Sequence, residues 1–308
     1  MSNINKKKGG INIEKIEEKR YWVWFSLIPG LGSRKKLELL QKYGNPKIIY
    51  NLKENELLNI QGIGKELANR ILNKNIREQI YNHVRYMQKY KIDIISINDN
   101  KYPKILKQIY DPPISLYIKG NTEILNGKNI AIVGCRNSSK YGEEAAKYFA
   151  YNLSMNGINI ISGLARGIDS YAHIGNLGAI THNGGDICGK TIAVVGNGVD
   201  SIYPKENKYL EEKIIKLGGC IMSEYPLGTK PEKSNFPARN RIISGLSKGV
   251  LVIEAKAKSG TLITVDFALE QGRDVYVVPG NINAINSVGT NDLIKQGAKL
   301  VTRAEEIF

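Results

Sequence analysis

Two segments of this 308-residue chain combine glycine with small or basic side chains directly after a short apolar run. The first is Gly134-Cys135-Arg136, and the second is Ser259-Gly260-Thr261. Glycine allows a ligand to approach the backbone closely, and the free N–H groups at a helix start attract anions. Arg136 would add a fixed positive charge. Because two such cradles suit several phosphates better than one mononucleotide, the pattern predicts a phosphate polymer as ligand.

A third glycine segment lies between these two. Gly163 and Gly167 flank Arg166 and would also let a ligand approach the backbone. Asp169 either caps the next helix or pairs with Arg166. We interpret His173, which has no obvious partner in the sequence, as a packed or capping side chain rather than a catalyst.

An aromatic residue and several cations occur together further along the chain. The set is Lys233, Phe236, Arg239, Asn240 and Arg241. Stacking rings beside cations are typical of single-stranded nucleic-acid sites. The alternative is that Phe236 belongs to the core and that the two arginines bind carbonyls at the end of the sheet or the carboxylate of Glu254.

We expect no cofactor and no metal. The GxGxxG fingerprint of dinucleotide sites is absent. His182, Asp186 and Cys188 lie in the Thr181–Gly189 segment, but their spacing fits no standard metal site. We interpret that segment as a surface loop without chemistry.

Short apolar runs alternate with helical patterns from Asn129 onward. The runs are Ile130–Val133, Ile158–Ile161, Thr191–Val195, Val250–Ile253 and Val275–Val278. Uninterrupted apolar strands separated by helices predict a doubly wound parallel sheet, at whose carboxyl edge ligands bind. The fold class is therefore α/β, with an extended Rossmann-like domain at 91–308. Ile92–Ile97 and Leu116–Ile118 are assigned to a bridging segment at its start.

The preceding region reads as helical. Residues 1–18 suggest a disordered basic tail, and residues 19–90 suggest a small all-helical domain. Two glycine hairpins within it resemble the helix-hairpin-helix motif, with Gly30 and Gly32 in one and Gly62, Gly64 and the following Lys65 in the other. Such hairpins make sequence-independent contacts to duplex phosphates, or they simply pack.

The net charge of +15 favours an anionic partner, although a bias toward Lys, Asn, Ile and Tyr would also raise it. Residues 1–110 hold 22 Lys and Arg against 10 Asp and Glu, whereas the remainder is nearly balanced. An anion site in the sheet domain must therefore be a focused pocket. No apolar run suggests a membrane span or a secretory signal, and three widely spaced cysteines suggest free thiols in the cytoplasm.

The run from about Trp22 to Phe308 resembles the bacterial DNA-processing protein A family (DprA, also called Smf). The likeness rests on ordered motifs: Val133–Arg136, Ser162–Asp169, Ala172-His173, Asp200–Pro204, Ser223–Pro226, Phe236–Arg241, Ser259–Thr264 and Val278–Gly280.

The resemblance implies a non-catalytic homodimer that binds single-stranded DNA during natural transformation and loads the RecA recombinase on it. It implies phosphate contacts from Arg136 and Lys233, base stacking or packing from Phe236, and a contribution from the Ser259–Thr261 turn. Cys135 departs from the Ser or Thr usual in the family, which removes a hydroxyl from the first cradle.

An enzyme acting on nucleotides is the alternative. Related nucleoside-monophosphate phosphoribohydrolases carry a Pro-Gly-Gly-x-Gly-Thr turn followed by a catalytic Glu. Here the comparable turn is Lys258–Thr261, and the nearest acids are Glu254 and Asp266.

Overall fold

The first third of the chain is helical. A computed structural model describes residues 13–183 and 187–307, with side chains from residue 18 onward. The helices of this part are α1 (Ile13–Leu27), α2 (Ser33–Tyr43), α3 (Pro46–Tyr50), α4 (Glu54–Leu58), α5 (Lys65–Ile71) and α6 (Lys74–Lys89). Residues 13–18 of the predicted tail are therefore helical, because Glu and Lys are strong helix formers despite their polarity. Residues 1–12 lie outside the described residues.

The two glycine hairpins pack against each other. Gly30 and Gly62 have φ values of +73° and +79°, a left-handed backbone that favours glycine. Arg70 of the second motif donates to the Pro29 carbonyl at 3.4 Å, and Lys35 of the first donates to the Gln61 carbonyl at 3.2 Å. The hairpins thus hold each other in place. Duplex contact through Gly30, Gly32, Gly62, Gly64 and Lys65 stays a prediction.

The remainder forms one nine-stranded sheet with helices between the strands. The strands are β1 (Ile92–Ser96), β2 (Ser115–Gly120), β3 (Asn129–Val133), β4 (Asn159–Ser162), β5 (Thr191–Val194), β6 (Cys220–Ser223), β7 (Gly249–Val252), β8 (Asp274–Val277) and β9 (Lys299–Leu300). The helices are α7 (Lys140–Met155), α8 (Ile168–Asn183), α9 (Lys208–Lys216), α10 (Asn235–Gly245), α11 (Gly260–Glu270) and α12 (Val288–Lys295).

The strand order is β1-β2-β6-β5-β4-β3-β7-β8-β9. From β6 to β9 all neighbours are parallel, which confirms the Rossmann-like α/β fold. The predicted bridging segment belongs to the sheet instead, because β2 pairs antiparallel with both β1 and β6. Strand β6 was also missed, because Ile221 is its only β-branched residue and the run therefore has a weak strand signal.

The helical part and the sheet share one hydrophobic core. Trp24 and Phe25 of α1 belong to the same buried cluster as Tyr117 of β2. The Ser26 hydroxyl lies 2.5 Å from the Tyr117 hydroxyl, and the buried Lys36 donates to the Ser26 carbonyl at 3.1 Å. Burial lowers the pKa of Lys36 to about 8. Although the element type changes after residue 90, the packing is continuous there.

Part of the predicted Thr181–Gly189 loop belongs to a helix. Helix α8 continues to Asn183, and residues 184–186 lie outside the described residues. Cys188 and Gly189 are buried, and a side chain at Gly189 would collide with the Ile158 carbonyl. All three cysteines of the chain are buried and free. Across residues 13–183 and 187–307, no helix is long and apolar enough to cross a membrane.

His173 is a core residue. It is completely buried in α8, and its Nδ1 lies 2.7 Å from the Thr191 hydroxyl. Burial, aided by the positive charge of Arg239, lowers its pKa to about 3. The side chain is therefore neutral in the folded protein, as expected for a packed histidine.

This burial predicts a pH-dependent stability. Between about pH 6.5 and about pH 3 the unfolded chain binds a proton that folded His173 does not, so stability falls as pH falls, by up to about 1.4 kcal/mol per unit. In urea unfolding, the stability difference between the unaltered chain and His173→Gln should shrink from pH 7 to pH 5. Parallel pH profiles for the two proteins would contradict this assignment.

Candidate functional site

The sheet opens a cleft at its carboxyl edge. The chain runs from β3 through β4 and β5 to β6 on one side, and then crosses to β7, β8 and β9 on the other side of β3. The loops after β3 and β7 therefore diverge, which is where ligands bind in open α/β sheets. A cavity of about 660 Å³ lies at this point.

Most of the predicted site residues line this one cavity. They are Gly134, Cys135, Arg136, Lys233, Phe236, Arg239, Asn240, Ser259, Gly260 and Thr261. Gly163 and Arg166 line a smaller adjoining cavity together with Arg136, Phe236 and Arg239. Arg241 lines neither.

The predicted cradle after β3 is already occupied by the protein itself. The N–H of Cys135 donates to the Glu254 carbonyl at 3.0 Å. The buried Glu254 carboxylate accepts the Ser139 N–H at 3.0 Å at the start of α7, and a side chain at Gly142 would collide with it. This carboxylate holds the position that we expected for a ligand anion. The side chain of Arg136, which lines the cavity, remains available there.

The start of α11 is open. Ser259 precedes the helix, and its buried hydroxyl has no hydrogen-bond partner among the described residues. Nothing lies within 4 Å of the space that a side chain at Gly260 would occupy. The first N–H groups of a helix have no partner within it, so this turn offers backbone donors and a hydroxyl to an anion.

Aromatic rings form one wall of the cavity. The Phe236 and Tyr203 ring centroids are 5.6 Å apart with the planes inclined at 43°. The Arg136 guanidinium lies 5.6 Å from the Phe236 centroid, within cation–π range. Phe236 is half-buried, so part of its ring faces the cavity.

The cavity has unneutralised positive charge. Arg136, Lys233 and Lys256 all line it and are exposed. Within the part of the chain that the structure describes, no carboxylate lies within 4 Å of their charged nitrogens. These positive charges are therefore available to a polyanionic ligand.

Arg239 has a structural role at the floor of the site. It is 4 % exposed and donates to the Val194 carbonyl at the end of β5. Burial lowers its pKa to about 10, which still leaves it charged at neutral pH, and burial raises the pKa of the adjacent Asp169. A side chain at Gly163 would collide with the Arg239 guanidinium. Gly163 therefore makes room for this arginine.

The remaining predicted cations are paired. Arg241 is buried and donates to both Glu224 oxygens, at 2.6 and 2.7 Å, and to Asp111 at 2.9 Å. It joins α10 to the end of β6 and to the segment before β2. Arg166 is exposed and pairs with Glu206 rather than with Asp169.

Several residues that line the cavity were not among the predicted site residues, including three with polar or aromatic side chains. Asn137, Tyr203 and Lys256 all lie in loops that follow a parallel strand. Their position beyond strand ends was the available signal, and Tyr203 also lies in the Asp200–Pro204 motif of the family resemblance.

The acids considered for nucleotide hydrolysis do not lie in the cavity lining. Glu254 caps α7, and Asp266 is an exposed residue of α11. Asp169 is the carboxylate that does line it, beside Arg239. The described residues contain no group of three or more His, Cys, Asp or Glu that could hold a metal.

Residues 184–191 have the Gly-x-x-x-x-Gly-Lys-Thr pattern of a phosphate-binding P-loop, which our expectation of no cofactor overlooked. A P-loop joins the end of a strand to the start of a helix. Here α8 precedes the pattern, and Thr191 is the first residue of β5 and bonds Ile160 and His173. The order of elements is thus the reverse of a P-loop's in the part of the pattern that the structure describes, residues 187–191.

The comparisons with known proteins agree with this geometry. Residues 93–308 match the family model described as DNA recombination-mediator protein A. DNA processing protein DprA of Streptococcus pneumoniae is 46% identical over 71% of this chain and 74% of its own length. DprA of Bacillus subtilis is 43% identical over 76% of this chain and 78% of its own length.

Two solved structures are similar. The X-ray structure of DprA from Streptococcus pneumoniae superposes with a TM-score of 0.74 at 37% identity, covering 94% of this chain and 96% of that one. DNA processing protein A from Helicobacter pylori, described for its unique single-stranded DNA binding mode, gives a TM-score of 0.61 at 30% identity over 71% and 94%. This chain therefore belongs to the DNA recombination-mediator protein A family.

Proposed function

We propose that this protein binds single-stranded DNA in the cavity at the carboxyl edge of the sheet, and that it does so without catalysing a reaction. The observation that carries the proposal is that Arg136, Lys233 and the Ser259–Thr261 turn line the same cavity as Phe236. The Helicobacter pylori relative is described as binding single-stranded DNA, which supports the same ligand here.

The cavity supplies what an unpaired strand requires. Exposed cations and the open start of α11 neutralise phosphates without reading sequence. The Phe236 and Tyr203 rings offer π-faces on which unstacked bases can rest. A duplex hides its base faces, so this combination favours the single strand.

Removing one cavity cation tests the binding site. Lys233→Ala and Arg136→Ala should each weaken oligo-dT binding by about tenfold, equivalent to about 1.4 kcal/mol. The slope of log affinity against log salt should fall by about 0.7 for each lost phosphate contact. Fluorescence anisotropy across a salt series measures both quantities.

Lys248→Ala is the matched control, because Lys248 is an exposed lysine at the amino edge of the sheet, just before β7. It should bind like the unaltered chain. Equal affinities for all three variants and the unaltered protein would exclude the cavity as the binding site.

We also propose that the protein loads RecA onto the bound strand in the cytoplasm. The family resemblance supports this role. When RecA and DNA coated with single-strand-binding protein are mixed, adding this protein should accelerate filament formation, and Lys233→Ala should do so less. Identical filament rates with and without the protein would rule this role out.

A homodimer is the proposed assembly. Ile282 and Ile285, which follow β8, are 85 % and 69 % exposed, and nearby Val288 is 37 % exposed. Clustered exposed apolar side chains mark interaction surfaces. Sedimentation velocity should give a dimer for the unaltered chain and a monomer for Ile285→Asp. A monomeric unaltered chain at micromolar concentration would refute the assembly.

A further inference from the structure

The exposed face of α6 carries rings and cations that the proposed function does not use. Tyr86 and the adjacent Tyr90 are 38 % and 43 % exposed, and their ring centroids lie 4.2 Å apart. The Lys89 ammonium lies 5.3 Å from the centre of the Tyr90 ring. Together with Asn82, residues Arg85, Tyr86 and Lys89 line a shallow groove of about 620 Å³.

This face is separate from the packed face of the helix. Ile80 and Met87 are the buried residues of α6. Asn82, Tyr86 and Lys89 follow one another at helical spacing and so form a single stripe, about 10 Å long. Tyrosines at helical spacing usually belong to a core, but here the rings face outward.

The loop after β5 connects this stripe to the cavity. Burial, the Asp200 carboxylate and Tyr90 raise the pKa of Tyr86, so Asp200 of that loop lies near α6. Burial lowers the pKa of His83 and the same Asp200 opposes the shift, which places His83 near it too. Tyr203, three residues further, lines the cavity. The same loop therefore contributes a ring to the cavity and a charge that acts on α6.

The cations of the stripe are free to meet phosphates. No carboxylate among residues 18–183 and 187–307 lies within 4 Å of the charged nitrogens of Arg85 or Lys89. The stripe belongs to the strongly basic first third of the chain. Aromatic faces beside unpaired cations fit an unpaired nucleic-acid strand better than an apolar protein surface.

We propose that the stripe Asn82–Tyr90 on α6 is a second binding segment for the single strand that emerges from the cavity. It is long enough for only a short run of nucleotides, since seven residues of helix span about 10 Å. Bases stack on Tyr86 and Tyr90, and phosphates meet Arg85 and Lys89. The inference rests on the proposed function, because it assigns a path to the same strand.

Oligonucleotides of two lengths distinguish binding in the cavity from binding on α6. We choose an oligo-dT of about 6 nucleotides, near the lower end of the site sizes of single-strand-binding folds, to occupy the cavity, and one of about 20 nucleotides to reach α6 as well. The variants Tyr86→Ala/Tyr90→Ala and Arg85→Ala/Lys89→Ala should weaken binding of the longer strand by about tenfold and leave the shorter strand unaffected. Arg85→Ala/Lys89→Ala should also lower the salt slope for the longer strand by about 1.4.

The matched control is Tyr209→Ala/Lys213→Ala on α9. Tyr209 is 48 % exposed and Lys213 lies 5.8 Å from its ring centre, but α9 packs on α8 and β6 and does not line the α6 groove. This control should bind both strands normally. A control that weakens the longer strand as much as the α6 variants would overturn the inference, since any surface charge would then suffice.

The cavity variant distinguishes the two proposals. If Lys233→Ala weakens both strands while the α6 variants bind the longer one normally, the α6 path is wrong and the cavity site stands. If Lys233→Ala weakens neither strand, the proposed function fails and the α6 path fails with it.

Discussion

A single buried carboxylate determines where an anion can bind at the edge of this sheet. Glu254 follows β7, accepts the N–H of Ser139 and thereby caps α7 from within the protein. Its own carbonyl accepts the N–H of Cys135, so the loops after β3 and β7 are tied together. One helix start is closed by this contact and the other, at Ser259, stays open. Of these two helix starts, the one at Ser259 therefore keeps its N–H groups available to an anion.

The same edge separates structural cations from available ones. Arg239 and Arg241 are buried, and their charges are compensated by Asp169 and by Glu224 with Asp111. Removing a carboxylate partner would leave a buried charge uncompensated, which is far costlier than losing an exposed pair. Arg136, Lys233 and Lys256 are exposed and unpaired, so their charge is available to a ligand. The buried ion pairs fix the floor of the cavity, and the exposed cations at its rim stay available to phosphate.

The sequence could predict the α/β class and about half of the residues that line the cavity, because parallel strands bring their carboxyl ends to one edge. The sequence could not show which of these residues are available to a ligand and which have a structural role. Whether Arg239 faces a ligand or a carbonyl depends on the depth of its side chain, which neighbouring residues do not encode. Arg241 finds Asp111 across 130 positions of sequence, and Glu254 finds Ser139 across 115. Contacts of such separation leave no local pattern, and the same holds for the antiparallel pairing of β1 and β2.

The continuous core between the helices and the sheet has a mechanical consequence. Helix α6 ends at Lys89 and β1 begins at Ile92, so no flexible tether separates them. With Tyr117 and Ser26 joined across the contact, the helical part cannot swing independently. Anything held on its surface keeps a fixed distance and orientation relative to the cavity. The helical part and the sheet therefore form one rigid unit. A nucleic acid that contacts both parts must adopt the curvature that the protein sets.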